Sequence, residues 1–348
     1  MNGYQETRPR NRSYVRNVIT LIGTDQGKEL FTGRRMNELI AKLPEPYYRT
    51  KYGAAYLGDA LELIRQVPDG RINLIMTSPP FALTKKKPYG NAKASLYVDW
   101  FKPFAREFWR VLTEDGSLVI HIGGSWDRGR PTRSLYHFEL LFELCRREKE
   151  DSKFYLAQDF YWFNPAKLPA PAEWVTIQRV RAKDAVDPIW WLSKSPFPKA
   201  NNRRVLTPYS KAMKKLLENG YNSGLRPSGH NISDTFQQDH GGAIPPNLLA
   251  ISNTESNSDY LRSCRAAKLP AHPARYPVEL PDFFIRFLTD EDDWVLDPFA
   301  GSNTTGQASE NNLCRWIAFE KEESYLQGSR FRFSGLNADT KDQLIKNH

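Results

Sequence analysis

Cysteine is scarce. Cys145, Cys264 and Cys314 are the only three in 348 residues, and no two stand in a CxxC spacing. A disulfide framework is therefore excluded, and the three read as buried thiols of a reducing compartment. The six histidines do not gather beside them, so a structural zinc site has no support and no metal is assigned. No apolar run reaches the length of a membrane span, and the start, Met1-Asn2-Gly3-Tyr4-Gln5-Glu6, lacks a secretory apolar segment. A cytoplasmic protein is expected. Acidic charge is in deficit: 40 Asp and Glu face 49 Lys and Arg, for a net charge of +9. That balance suits a polyanion partner, although ordinary solubility charge would produce it too.

What is present is enough for a core. Hydrophobic residues make up 40 % of the chain and aromatics 13 %, in a length that allows one large domain or two ordinary ones. The basic residues recur in loop-like stretches, which favours the polyanion reading: Arg8 to Arg12, Lys85-Lys86-Lys87, Arg179 to Lys183, Arg203-Arg204 and Lys211 to Lys215.

Residues 1–50 read as an N-terminal extension with a helix at Met36 to Ala41. Tyr56-Leu57-Gly58-Asp59-Ala60 opens a helix that ends in the turn Pro68-Asp69-Gly70. A strand follows at Ile72 to Met76, then an amphipathic helix reaching Leu112 that Pro103 starts or kinks. Glu114-Asp115-Gly116 reads as a turn, Ser117 to Ile122 as a buried strand, and Phe138 to Glu148 as a helix. The aromatic runs Phe160 to Phe163 and Ile189 to Leu192 read as antiparallel strands around a proline-rich loop. From about Lys194 to Arg265 the pattern breaks down into Asn, Ser, Pro, Gly and basic residues, as expected of a separate recognition region. Regularity returns with a helix from Pro281, a strand at Trp294 to Asp297, a turn into a helix at Pro298 to Gly306, and a strand ending on Glu320.

Two stretches carry chemistry. The first is Thr77-Ser78-Pro79-Pro80-Phe81, where a strand runs into a rigid turn. Proline lacks an N–H and pushes the preceding residue to an extended conformation, so the carbonyls of Ser78 and Pro79 have no neighbouring donors. A hydroxyl, a stiff set of acceptors and an aromatic face suit an exocyclic amine on a flat ring. The second is the strand–turn–helix–strand unit from Trp294 to Glu320, a βαβ nucleotide unit. Gly301 and Gly306 do not make GxGxxG, and their GxxxxG spacing has Gln307 where a phosphate loop needs lysine. A nucleoside without phosphate remains. Glu320 would hold its ribose hydroxyls, the helix N-terminus at Ser302 to Thr304 would receive a carboxylate, and Phe299 would face a sulfonium. S-adenosylmethionine has all three groups.

In this order the two motifs resemble the β-class DNA amino-methyltransferases. Ser78-Pro79-Pro80-Phe81 is similar to the catalytic motif of the N4-cytosine type, and the resemblance covers roughly residues 52–330. It implies an α/β fold: a doubly wound, mostly parallel seven-stranded sheet with one reversed strand near an edge and an inserted target-recognition region. The implied parts are a catalytic part at 51–180, the recognition region at 181–265, a cofactor-binding part at 266–335 and a tail at 336–348. Ser78, Pro79, Pro80 and Phe81 are the implied catalytic turn. Asp59, Thr77, Asp297, Phe299, Gly301, Ser302, Asn303, Thr304 and Glu320 are the implied cofactor residues, with Pro273 of the segment His272 to Pro277 at the methionine end. Lys85, Lys86, Lys87, Arg203, Arg204 and Arg226 are expected at DNA. The family pattern has an acid on the strand before Gly123-Gly124, and this chain has His121 there, either backing Ser78 or a bystander. The implied activity is methylation of the N4 amine of a flipped cytosine in double-stranded DNA by S-adenosylmethionine, within a restriction-modification system. A separately acting endonuclease and a monomeric or dimeric state are compatible with it. Modification of adenine or of RNA, and a non-catalytic DNA-binding protein on the same fold, are the alternatives.

Overall fold

The computed structural model describes residues 42–83, 90, 92–146, 153–220, 224–225, 227–229, 231–232, 238–254 and 258–333. Two compact units divide the chain, Met1–Leu43 and Pro44–His348, and every element named below lies in the second. The helix expected at Met36 to Ala41 falls outside the described residues.

In chain order the elements begin with β1 (Tyr48–Arg49), β2 (Gly53–Leu57), α1 (Ala60–Ile64), β3 (Ile72–Thr77), α2 (Tyr97–Val111), β4 (Leu112–His121) and α3 (Tyr136–Cys145). The hairpin β5 (Tyr155–Phe163) and β6 (Val186–Ser193) follows, then α4 (Lys211–Asn219), the short pair β7 (Gly224–Leu225) and β8 (Asn231–Ile232), and β9 (Leu248–Ala250). The last are α5 (Asp259–Ala266), α6 (Glu279–Leu288), β10 (Trp294–Asp297), α7 (Thr304–Asn311), β11 (Arg315–Glu320) and α8 (Glu323–Ser329).

One sheet organises the unit, in the order β1-β2-β11-β10-β3-β4-β6-β5-β9. Neighbours from β2 to β4 are parallel, and β6 alone runs against both β4 and β5. The expected seven-stranded, mostly parallel sheet with a reversed strand is thus present. The two-residue β1 and three-residue β9 extend its edges to nine strands. β10 and β11 are buried along their whole length, as parallel strands covered on both faces must be. α6 lays Phe284, Ile285 and Leu288 on Leu74, Met76, Val119 and Ile189. α2 buries Tyr97, Phe101, Phe104, Phe108 and Val111 at helical spacing and keeps Pro103 in its interior.

Three boundaries differ from the sequence reading. Tyr56 and Leu57 finish β2 rather than open a helix; α1 starts at Ala60 because Asp59 caps it, accepting from Leu61 N at 2.9 Å and Glu62 N at 3.3 Å. Glu114 to Gly116 form a register irregularity inside β4, not a turn, since Leu112 already pairs with Ile72 of β3. α3 begins two residues earlier than expected and ends at Cys145. The stretch read as a separate recognition region contains α4, most of α5 and β9, and β9 joins the main sheet beside Tyr161 to Phe163.

Candidate active site

The parallel strands end along one edge, and ligand crevices form at such carboxyl ends. β3 ends in the Ser78 turn, β10 in the loop 298–303, and β11 in Glu320. These ends surround a cavity of about 390 Å³, within the usual range for a small-ligand site. Its walls include Asp59, Ser78, Pro79, Pro80, Phe81, Phe299, Ser302, Thr304 and Glu320. The two motifs therefore meet at one site. Thr77, Pro273, Asp297, Gly301 and Asn303 are not among its lining residues.

The cofactor side is held by backbone and buried polar pairs. Glu320 Oε2 accepts from Gly301 N at 2.8 Å and its Oε1 from Glu322 N at 2.8 Å. Burial raises its pKa against the opposing pull of these amides. Gly301 has φ +52° and lies so close to His272 that an added Cβ would stand 3.0 Å from that ring. Only glycine satisfies both conditions easily. Asn303 is also left-handed, at φ 57°; it caps α7 by accepting from Gly306 N at 3.0 Å and donates to Tyr48 Oη at 2.9 Å. Burial pushes the Tyr48 phenol up to about 12, so it stays neutral in that pair.

Asp297 is 2 % exposed and surrounded by donors. Thr77 Oγ1 (2.8 Å) and Phe299 N (3.1 Å) donate to Oδ1, and Thr305 Oγ1 (2.6 Å) and Tyr276 Oη (3.3 Å) to Oδ2. Burial raises its pKa, with those donors opposing the rise. Its geometry is that of a brace between β3, β10 and α7. Trp100 and Phe104 of α2 pack on Phe299, with ring centroids 6.0 and 5.2 Å away, and give the cavity an aromatic wall. Arg332 donates to the carbonyl of Ser302 at 2.7 Å and to its Oγ at 3.0 Å, fixing the loop from behind.

The catalytic side is equally specific. Tyr97 Oη donates to the Pro80 carbonyl at 2.9 Å. Phe81 fits against Gly123, where a Cβ would come within 2.5 Å of its ring. Ser78 Oγ is 3.0 Å from His121 Nδ1. The departure from the family pattern therefore lands directly behind the serine. Trp162 is buried, meets His121 edge-on with ring centroids 5.2 Å apart and donates to the Ile251 carbonyl. Tyr161 is exposed and donates to Asp159 at 2.7 Å; neither ring lines the cavity.

The expected DNA residues divide. Lys85, Lys86, Lys87 and Arg226 lie outside the described residues. Arg203 is exposed. Arg204 is spent on the protein itself: it donates to the Thr289 carbonyl and to Asp290 Oδ1 at 2.8 Å, and its own carbonyl accepts from Arg286. Sequence reasoning missed Tyr97, Trp100, Phe104 and Arg332. Only the aromatic periodicity of α2 pointed to any of them.

The chemistry of the wall fits S-adenosylmethionine. Two carboxylates, Asp59 and Glu320, and an aromatic face line it together with the cations Arg275 and Lys321, and the 301–306 loop has Gln307 where a phosphate loop needs lysine. Among the described residues no group of His, Cys, Asp and Glu is placed to hold a metal ion.

Known proteins share this architecture. A family profile described as DNA methylase, for N6 and N4 enzymes, matches residues 72–330. The type II methyltransferase M.PvuII of Proteus hauseri is 49 % identical over 304 residues, covering 86 % of this chain and 89 % of that one. The type II methyltransferase M.BglI of Bacillus subtilis is 41 % identical over 302 residues, covering 80 % and 84 %. A solved structure of PvuII DNA methyltransferase (cytosine-N4-specific) matches with a TM-score of 0.69 at 42 % identity, over 87 % of this chain and 96 % of that one. With the Ser78 turn and the Glu320 loop on one cavity and the profile spanning both, the chain belongs to the N6/N4 DNA methylase family.

Proposed function

We propose that the protein methylates the N4 amine of cytosine in double-stranded DNA. The carrying observation is that a Ser-Pro-Pro-Phe turn and a phosphate-free nucleoside loop line the same cavity. S-adenosylmethionine, when bound, supplies a methyl group on a sulfonium. Glu320 accepts from its ribose hydroxyls, Asp59 takes the adenine through the carboxylate oxygen not used in the α1 cap, and Ser302 and Thr304 face the carboxylate end. The aromatic wall of Trp100, Phe104 and Phe299 stabilises the cation by its ring faces.

The target base leaves the duplex, at a cost of a few kcal/mol, and stacks on Phe81. The cytosine amine is delocalised into its ring and is a poor nucleophile. Ser78 Oγ accepts one N–H. The Pro80 carbonyl is occupied by Tyr97, so the carbonyl of Ser78 or Pro79 accepts the other. Two acceptors below the amine favour a pyramidal nitrogen with its lone pair aimed at the methyl group. Recognition falls to the segments after β6, up to β9, together with the exposed Arg128, Arg130 and Arg179 in the loops that follow β4 and β5. Such contacts make affinity salt-dependent. The protein acts in the cytoplasm, beside a separate endonuclease.

The test is nucleoside analysis of DNA incubated with the protein and labelled S-adenosylmethionine. N4-methylcytosine is expected; label found only in N6-methyladenine or C5-methylcytosine would refute the assignment. Ser78→Ala is expected to lower turnover at least 100-fold with cofactor affinity within threefold, and equal losses in both would remove Ser78 from its role.

A further inference from the structure

His121 does not stand alone behind Ser78. Its Nε2 is buried without a hydrogen-bond partner, and Asp187 Oδ2 lies 3.8 Å away. β4 and β6 set this up: His121 pairs with Ile189, and Asp187 lies two residues from Ile189, on the same face of the reversed strand. Asp187 is itself 9 % exposed and is gripped by Lys167, whose Nζ donates to both carboxylate oxygens at 2.8 Å. Phe81, Trp162 and Tyr276 enclose the imidazole edge-on, with centroids 5.4, 5.2 and 6.2 Å away. Its polar neighbours are thus a hydroxyl on one nitrogen and a carboxylate on the other.

We propose that Asp187, held by Lys167, is a positioning residue that keeps the His121 proton on Nε2 and so makes Nδ1 the acceptor of the Ser78 hydroxyl. This rests on the methyl-transfer reading of the Ser78 turn. A shift of under about 1 Å brings Nε2 and the carboxylate to hydrogen-bond length. Asp187 is fully ionised in this setting, because burial would raise its pKa but His121 and Lys167 hold it down at about 2. The proton balance is complete. As the nitrogen–carbon bond forms, the carbon–sulfur pair returns to sulfur and the amine must lose a proton. Ser78 Oγ takes that proton while passing its own to His121 Nδ1. Asp187 stabilises the resulting imidazolium, and the proton leaves to solvent. An acid directly behind the serine is replaced here by an imidazole with the acid one step further back.

Two measurements test this. Nitrogen-15 histidine NMR of the cofactor-free protein, with His121 assigned by loss of its signals in His121→Asn, is expected to show the Nε2–H tautomer. An Nδ1–H tautomer in the wild type overturns the proposal whatever any variant does. Asp187→Asn can donate to Nε2 and is expected to switch the ring to Nδ1–H, lowering turnover about 10²- to 10⁴-fold with cofactor affinity within threefold. Unchanged turnover, or lost turnover with the Nε2–H signal retained, also overturns it. If instead the protein yields no N4-methylcytosine at all while the tautomer is as stated, the methyl-transfer reading fails and the Asp187–His121 arrangement stands.

Discussion

Replacing Asp297 separates a brace from a ligand. In Asp297→Ala the hydroxyls of Tyr276 and Thr305 keep each other, since they already lie 2.6 Å apart. Thr77 Oγ1 and Phe299 N lose their acceptor. Each orphaned buried donor costs about 1–3 kcal/mol, so the pair loses about 2–6 kcal/mol. Part is offset, because the raised pKa of Asp297 means that its ionised form is unfavourable in the fold at neutral pH. A net loss of about 2–4 kcal/mol is expected, which is about 3–6 °C in Tm for a domain of this size. Asp297→Asn keeps an oxygen for Thr77 and Phe299, and the two hydroxyls on the other side can turn to accept from its amide. It should stay within about 1 kcal/mol of wild type. Calorimetry of unfolding and titration with S-adenosylmethionine provide the readings. If Asp297→Asn keeps its stability but loses cofactor affinity more than 100-fold, Asp297 contacts the cofactor and the brace argument is wrong.

Gly123→Ala puts a methyl 2.5 Å from the Phe81 ring, which must swing toward the cavity. Turnover on DNA should fall at least tenfold with cofactor affinity nearly unchanged; wild-type kinetics would show that Phe81 does not need its present place. Burial, helped by Arg133, lowers the pKa of His137 from 6.5 to about 4. Between those values the unfolded chain binds a proton that the folded one refuses, so stability is full above pH 6.5 and falls as the pH drops towards 4, by up to about 3 kcal/mol. His137→Phe also removes the unpaired Nδ1 and should flatten that part of the urea-midpoint profile; an unaltered slope would count against it.

The cavity's two motifs were legible because each is local. A proline pair after a strand, or a strand ending on an acid after a glycine turn, states its own geometry. The antiparallel pairing of the two aromatic runs was legible as well, while the reversed strand came only with the family resemblance. The helix at Tyr56 was misread because Asp59 marks where α1 begins but not where β2 ends. Lys167 and Asp187 lie on opposite sides of a hairpin loop, and their link to His121 needs the β4–β6 register, which no stretch of sequence carries. Arg204 looked like a DNA contact because its acceptors, Thr289 and Asp290, arrive from a distant helix end. Charge pattern alone cannot tell a free arginine from a satisfied one.

The reversed strand has one more consequence. Because β6 opposes β4 and β5, the loop joining β5 to β6 opens at the same edge as the ends of the parallel strands. Residues 164–185 can therefore lengthen, shorten or change composition while the sheet stays as it is. Asn164, tied to Ala185 and Asn253, Lys167, which holds Asp187, and Arg181 and Asp184, which reach Pro131 and Arg133, constrain such change. Evolution, or a protein engineer, can exchange this segment as a cassette, and a change of target preference need not begin by rebuilding the scaffold.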